Sequence, residues 1–475
     1  MDDAAVFRRL GQTRVVTRPQ TGEGRISVAR AAMLADLQQR TFDYFERYMN
    51  HERGLVKDNT RENAPASIAG SGYALACYVV AAYRGYLPRE VAAERVRNTL
   101  RFFRDAPQDG GNDETGHRGF FYHFLDAVSG RRVWASELSS IDTGILIAGA
   151  LVARAFFDRP EEREIREVAE ELYLRVDWTW MLAPNGLISH GWKPESGFLR
   201  YQWGGYNEAL FLYILALGSP THPVPEDSYA RWTSTYKWKK LYGYEFLFGG
   251  PLFMHQFSHI WIDFRGIQDE YMRGKAIDYF ENSRRATFVQ REYGIRNPKG
   301  LAGYGPDVWG ITAGDGPGPA VRTVRGVRKR FSGYAARGVP FGPDDGTLAP
   351  WAVAASLPFA PEIVVPALEH MNEAYPALTG KYGYKCSFNP TFPARRGGWI
   401  SQGHYAIDQG PLVLMIENYR SGLLWRLMRE CPYVVDGLRR AGFAGGWLGS
   451  AAAPGGRPGA IRVQRRSKAA DRSLE

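Results

Sequence analysis

Apolar residues recur at helical spacing in block after block along the chain, and the blocks are of two kinds. Some are amphipathic. Ala31–Tyr48 has apolar positions three and four apart with no breaker, Pro88 and Pro107 bracket Arg89–Phe103, and Pro160–Met181 opens on acidic residues, as the helix dipole favours. Others are apolar nearly all round: Ile68–Tyr83, Asp142–Phe157 and Glu208–Leu217. A helix without a wet face has to be covered on most sides. The same periodicity predicts helices over Ile260–Asn282, Leu348–Leu357, Pro361–Ala374, Asp408–Met428 and Pro432–Ala441. This alternation predicts an all-α fold in two concentric layers, with inner helices covered on both sides and outer helices keeping one solvated face. Between helices run long loops, such as Gly186–Gly205 and Tyr293–Gly318, too rich in aromatics for disorder and better read as the walls of a cleft.

No linker-like stretch interrupts the chain. It reads as a mobile N-terminal arm (1–28), one domain (29–448) and a disordered basic tail (449–475). A domain of about 420 residues exceeds the usual size, so its core must extend, as in a helical ring.

Composition narrows the class. Hydrophobic residues make up 44% of the 475 and charged residues 23%, which excludes disorder as the dominant state. The most apolar runs, Tyr73–Tyr83 and Gly144–Ala153, reach about half the ~20 residues a membrane span needs, so no membrane partner is expected. Three cysteines outside any CxxC or Cys/His cluster give neither a disulfide framework nor a zinc site. The first residues lack the apolar core of a signal peptide, so as written the chain reads as cytoplasmic, or as periplasmic or secreted if a leader was removed. Of the net charge of +10, the tail from Gly449 holds +4, and the remaining +6 is spread over nearly 450 residues. No nucleic-acid partner is therefore expected, and nothing in the sequence fixes an oligomeric state.

The chemistry lies in carboxylates and aromatics. Glu208 follows the Gly204–Gly205 turn into an apolar helix, where desolvation raises a carboxyl's pKa and suits it to general-acid work. Asp142, with Glu137 five residues before it, and Asp408, with Glu417 nine residues after it, each open an apolar helix too. For either, a capping role is the simpler alternative. Asp307 and Asp315 sit in a Gly-rich loop that matches no phosphate-binding pattern and are candidates to line a pocket, and Asp344–Asp345 read as a turn with an N-cap. Aromatics are 13% of the chain. Trp134, Trp192, Trp203, Tyr206, Tyr236, Trp238, Trp309 and Trp399 fall in loops, where flat rings match the C–H faces of sugars, although gap-filling between helices is the competing use. The pair His255/His259 lacks the Glu of a zincin motif, and no GxSxG occurs, so no cofactor or metal is expected. Carboxylates at the mouths of apolar helices beside aromatic loops are what glycoside cleavage requires.

At these residues the sequence resembles a known family. The runs ELSSIDTGILIAGAL, YNEALFLYILALGSPTHP, DDGTLAPWAVAASLPFAPE and IDQGPLVLMIENYRSGLLW are similar to signature blocks of glycoamylase-like proteins, a group that includes the bacterial endo-β-1,2-glucanases of glycoside hydrolase family 144. The resemblance spans about residues 31–447. It implies an (α/α)6 barrel with a cleft at one end and hydrolysis of β-1,2-glucan or its oligosaccharides with inversion and no metal. It further implies Glu208 as general acid, Asp408 as general base acting through a substrate hydroxyl, and Asp142, beside Glu137, lining the sugar subsites. The base's indirect action allows a carboxylate separation above the ~6.5–9.5 Å of most inverting enzymes. Trp203, Tyr206, Trp309, Asp307, Trp399, Glu417 and Arg420 complete the expected substrate-binding set. The alternatives are a transglycosylase, a phosphorolytic enzyme on the same scaffold, or a non-catalytic glycan-binding protein.

Overall fold

In the computed structural model, residues 27–394 and 397–449 are described. The expected arm and tail lie outside them, apart from Ser27–Val28 and Gly449. The fold is mostly helical: α1 (Val28–Tyr48), α2 (Ile68–Arg84), α3 (Arg89–Asp105), α4 (Ser140–Phe156), α5 (Arg163–Arg175), α6 (Leu210–Leu217), α7 (Glu226–Thr233), α8 (Phe257–Trp261), α9 (Glu270–Arg273), α10 (Tyr279–Arg296), α11 (Pro350–Ala355), α12 (Pro361–Ala374), α13 (Ala406–Arg420), α14 (Leu423–Arg429), α15 (Pro432–Arg440) and α16 (Gly446–Gly449).

The two kinds of helix separate in space as their patterns require. α4, α6, α8 and α11, and α2 up to its last turn, are buried nearly all round and share one continuous core with α13. α2 packs on α4 and α13, α4 on α6, α6 on α8, and α8 and α11 on α13. The amphipathic helices lie against them from outside: α1 on α13, α3 on α2, α5 on α4, α12 on α11 and α15 on α6. α2 and α4 touch through glycine, since a Cβ on Gly149 would fall 2.0 Å from the Gly72 carbonyl oxygen. Serine fixes where α2 and α4 begin. Ser67 and Ser139 accept the Gly70 and Asp142 amides at 3.1 and 3.2 Å, satisfying N–H groups that a helix start leaves free.

Three expected helices are divided. Ile260–Asn282 is not one helix: α8 stops at Trp261, Gly266 turns the chain with a left-handed φ of 73°, and Asp269 and Asp278 cap α9 and α10 afresh. Those caps outcompete the apolar period that runs across them. Gly422, at φ 66°, separates α13 from α14 inside Asp408–Met428. Pro160–Met181 splits into α5 between two short 3-10 turns, and α7 was not expected at all. The loops carry short antiparallel pairings, among them the strands Leu138–Ser139, Gly191–Lys193 and Gly197–Phe198 in one small sheet and the hairpin Ala320–Val324/Val327–Phe331.

Candidate active site

The N-terminal ends of six buried helices meet at one cleft of about 630 Å³. Ala69 of α2, Ile141 and Asp142 of α4, Phe257 of α8, Trp351 of α11 and Ile407 and Asp408 of α13 line it, with Glu208 two residues ahead of α6. Helix N-termini carry partial positive charge, so this convergence favours carboxylates there. Five line the cleft: Asp58, Asp142, Glu208, Asp315 and Asp408.

The backbone around Glu208 is fixed from both sides. The Asn207 side chain bonds the Ala209 amide at 2.9 Å and the Gly204 carbonyl at 3.2 Å, Gly205 turns at φ 74°, and the Ser258 hydroxyl donates to the Glu208 carbonyl at 2.8 Å. The carboxyl is buried and its Oε2 has no hydrogen-bond partner. Burial, with the charge of Asp142 adding to it, pushes its pKa up to about 7. Asp408, in the first turn of α13, is more isolated still: it is buried, and neither carboxylate oxygen is partnered. Burial drives its pKa well above the carboxylate range, reinforced by the nearby charges of Asp58 and Asp315 and eased by the adjacent Cys386 thiol.

Asp142 is held differently. The Ser139 hydroxyl donates to its Oδ2 at 2.5 Å, and His123 Nε2 lies 3.6 Å from the same oxygen. His123 Nδ1 donates to Glu137 at 3.0 Å. Burial opposes a charged imidazole here, but Asp142, Glu137 and Asp58 outweigh it and raise His123 to about 9. Glu137 is lowered in turn: burial opposes the shift, and the His123 hydrogen bond overcomes it. Asp58, raised by burial, accepts from Asn59 at 2.9 Å. Asp315 accepts from the Ser401 hydroxyl at 3.0 Å and faces the exposed Arg61 at 3.7 Å. Phe124, Trp134, Phe253, Phe257, Tyr334, Trp351 and Tyr405 supply the aromatic wall.

Of the residues expected at a site or a pocket, Glu208, Asp408, Asp142 and Asp315 line this cleft, and Glu137 touches it through His123. The remainder are placed elsewhere. Trp203 is buried, stacks on His190 and donates its indole N–H to Ser140 at 2.9 Å, bracing the start of α4. Tyr206 stacks on Tyr279 in the interior, and Trp309 is fully buried. Asp307 sits in the Gly305–Val308 turn and Trp399 in a strand pairing with Asn389. Glu417 and Arg420 belong to the far end of α13, where Glu417 pairs with Arg84 and Arg420 Nη1 donates to Tyr86 and Gln38. Of the eight loop aromatics singled out in the sequence only Trp134 reaches the cleft; Asp344 and Asp345 bind Tyr293, Tyr304 and Arg337. His255 and His259 are buried, bonded to the Gly249 carbonyl and the Ser283 hydroxyl, and burial lowers them to about 4 and about 3. Asp58 and His123 were missed: Asp58 lies in a polar loop and His123 in an aromatic run, Phe120–Leu125, that reads as core, and the pairing of Ala66–Ser67 with Phe124–Leu125 brings them together.

Fold and cleft together define a class: a mostly helical protein with an acidic, aromatic-walled cleft at the N-terminal ends of its buried helices. The chain belongs to the glycoamylase family, whose model, described as "Putative glucoamylase", matches residues 200–432. It is 31% identical to a "putative glucoamylase" of Bacteroides uniformis, covering 90% of this chain and 100% of that one, with a TM-score of 0.78. The endo-β-1,2-glucanase of Chitinophaga pinensis, solved with sophorotriose and glucose, is 29% identical with a TM-score of 0.75, over 89% of this chain and 100% of that one. An exo β-1,2-glucooligosaccharide sophorohydrolase of Parabacteroides distasonis is 26% identical over 448 residues, 86% of this chain. The chain spans 57% of that relative's length.

Proposed function

We propose that this protein is a glycoside hydrolase that cleaves β-1,2-glucan or its oligosaccharides, with Glu208 as general acid and Asp408 as general base. The observation that carries the reading is the isolation of these two carboxyls in one cleft. Near neutral pH a desolvated Glu208 keeps the proton that a departing glycosidic oxygen must receive. Asp408, whose oxygens take no hydrogen bond from the protein around them, is poised to accept hydrogen bonds from substrate hydroxyls, which favour its charged form and ready it to withdraw a proton. Asp142 and the aromatic wall bind the sugar's hydroxyls and faces. The six convergent helix ends, five of them on helices backed by an outer helix, fit an (α/α)6 barrel of six inner and six outer helices formed by the single domain 29–448. The glucanase and sophorohydrolase relatives support the linkage, and the resemblance supports inversion without a metal.

Glu208→Gln and Asp408→Asn test this directly. Each removes a proton-transfer group while preserving shape, and each is expected to slow release of reducing ends from β-1,2-glucan by about a hundred- to ten-thousand-fold with the circular dichroism unchanged. Wild-type turnover in either variant would remove that residue from the mechanism.

A further inference from the structure

Outside the cleft, one element concentrates charge. The Ala320–Val324/Val327–Phe331 hairpin holds Arg322, Arg325, Arg328, Lys329 and Arg330 and no acidic residue. Beyond the basic tail the chain's excess of base over acid is six, so this hairpin carries all but one of it. The even spread expected from the sequence does not hold.

The arrangement is costly for the folded chain. Arg322 stands directly opposite Lys329, and like charges facing across a strand pair disfavour it. Arg325 occupies the tip at φ 49°, followed by Gly326 at φ 79°. A two-residue turn of this hand favours Asn, Asp or Gly, and arginine there is strained. The contacts made by these side chains do not neutralise them: Arg322 Nη1 donates to the Val321 carbonyl at 2.9 Å and lies over the Phe392 ring, and Lys329 Nζ donates to the Lys299 carbonyl at 3.5 Å.

The root, by contrast, is fixed to the cleft. Phe331 is buried against Phe392, the Gly318 amide donates to the Ser332 carbonyl at 3.0 Å, and the Ser332 amide donates to Asp345 at 2.9 Å. Arg337, itself buried, pairs with Asp345 and bonds the Gly333 carbonyl at 3.0 Å. Gly318, Gly333 and Tyr334, on either side of this root, line the cleft. A rigid rim therefore presents a cationic arm next to a floor of five carboxylates.

These two surfaces select opposite things. The floor, where five acidic side chains outnumber Arg61 and His123, favours neutral sugar rings over anions. We propose that the hairpin binds anionic substituents (carboxylate, phosphate or sulfate groups) on the stretch of glycan that leaves the cleft, so that the substrate is a charged rather than a plain glucan. This rests on the reading of the cleft as a glucan site.

Binding is measured on Glu208→Gln, which leaves both ligands intact, using neutral β-1,2-glucan and the same glucan carboxymethylated to a low degree. The carboxymethylated glucan is expected to bind about tenfold tighter at about 50 mM salt, with the preference collapsing at about 500 mM. Adding R325Q/R328Q/R330Q is expected to abolish the preference while neutral glucan binds within about twofold of before, which also reports that the fold survives. Equal affinity for the two glucans, or a preference that outlasts the triple substitution, overturns the proposal. So does binding of polyglutamate as tight as that of the carboxymethylated glucan, since the site would then take any polyanion. Turnover by the wild type is read separately: a charge preference without hydrolysis would sink the assignment of the cleft and leave that of the hairpin standing.

Discussion

Helix α13 carries two buried carboxylates in opposite chemical circumstances. Asp408, in its first turn, has no hydrogen-bond partner on either oxygen. Glu417, nine residues and about 14 Å further along the helix, is fully buried and fully satisfied. The Arg84 guanidinium donates to both its oxygens at 2.8 and 2.7 Å, Gln38 donates at 3.0 Å and Ser421 at 2.5 Å. A buried charge with a complete set of partners holds structure together, tying α13 to α1 and α2. One held open without partners costs stability and persists because something else uses it. The sequence context of the two is the same, an acid in an apolar helix, and only the partners tell them apart.

Exchanging the two sites' fates breaks or sharpens that contrast. Glu417→Gln leaves the half-buried Arg84 guanidinium against an uncharged amide; removing one member of a fully buried pair costs about 3–5 kcal/mol, and with Arg84 partly solvated about 2–3 kcal/mol is expected. The expected outcome is a lower unfolding midpoint in urea, with kcat on β-1,2-glucan unchanged well below the transition. Asp408→Asn should behave in the reverse way, losing activity with no loss of midpoint. A Glu417→Gln protein as stable as wild type would show that satisfaction of the pair contributes nothing, and the comparison would fail.

Glu208 extends the contrast to pH. A folded-state pKa of about 7 against an ordinary 4.5 means that the folded protein holds a proton the unfolded chain has released between those values. Stability from this group is therefore complete below pH about 4.5 and is lost as pH rises through about 7, by about 3 kcal/mol in all. Glu208→Gln removes the slope. Its midpoint should match wild type near pH 4.5 and exceed it near pH 8; Asp408 titrates in both proteins and drops out of the difference. A difference that stays flat with pH would mean that Glu208 is not desolvated.

The layers and the acids at helix mouths were legible in the sequence because both are local. An apolar run such as Ile68–Tyr83 has nowhere to go but inside, and an acid opening such a run is conspicuous whatever lies around it. The rest depends on contacts between distant positions. Glu417 looked like Asp408 because Arg84 reaches it from 333 residues away. Trp203 and Trp309 have the loop context of cleft residues, yet their rings fill the interior, whereas Trp351, inside an expected helix, and Phe253 and Phe257, which no sequence signal singles out, form the wall. The long helix expected over Ile260–Asn282 shows the limit of periodicity: Gly266, Asp269 and Asp278 were visible as breakers and caps, and the apolar spacing across them was given more weight than it bears.

Asp142 stands between the two extremes on α13, partnered by one hydroxyl and one imidazole, and it supplies the finest test. His123 is the cation shared by Glu137 and Asp142, so it fixes the side chain of Asp142 without itself lining up as an acid or base. Replacing it removes the positive charge from a group of three carboxylates that includes Asp58 and frees Asp142 to move by a fraction of an ångström or more. Misplacement of that size costs up to about a hundredfold in rate. His123→Ala is therefore expected to lower kcat/KM on β-1,2-glucan by about ten- to a hundredfold, well short of the loss in Glu208→Gln, with KM taking part of the change if Asp142 acts on bound sugar as proposed. Gln, which places an amide N–H near the Nε2 position, should recover part of the loss in KM and none of the charge. If His123→Ala retains wild-type kcat/KM, Asp142 needs no fixing, and a carboxylate's partners say less about its use than α13 suggests.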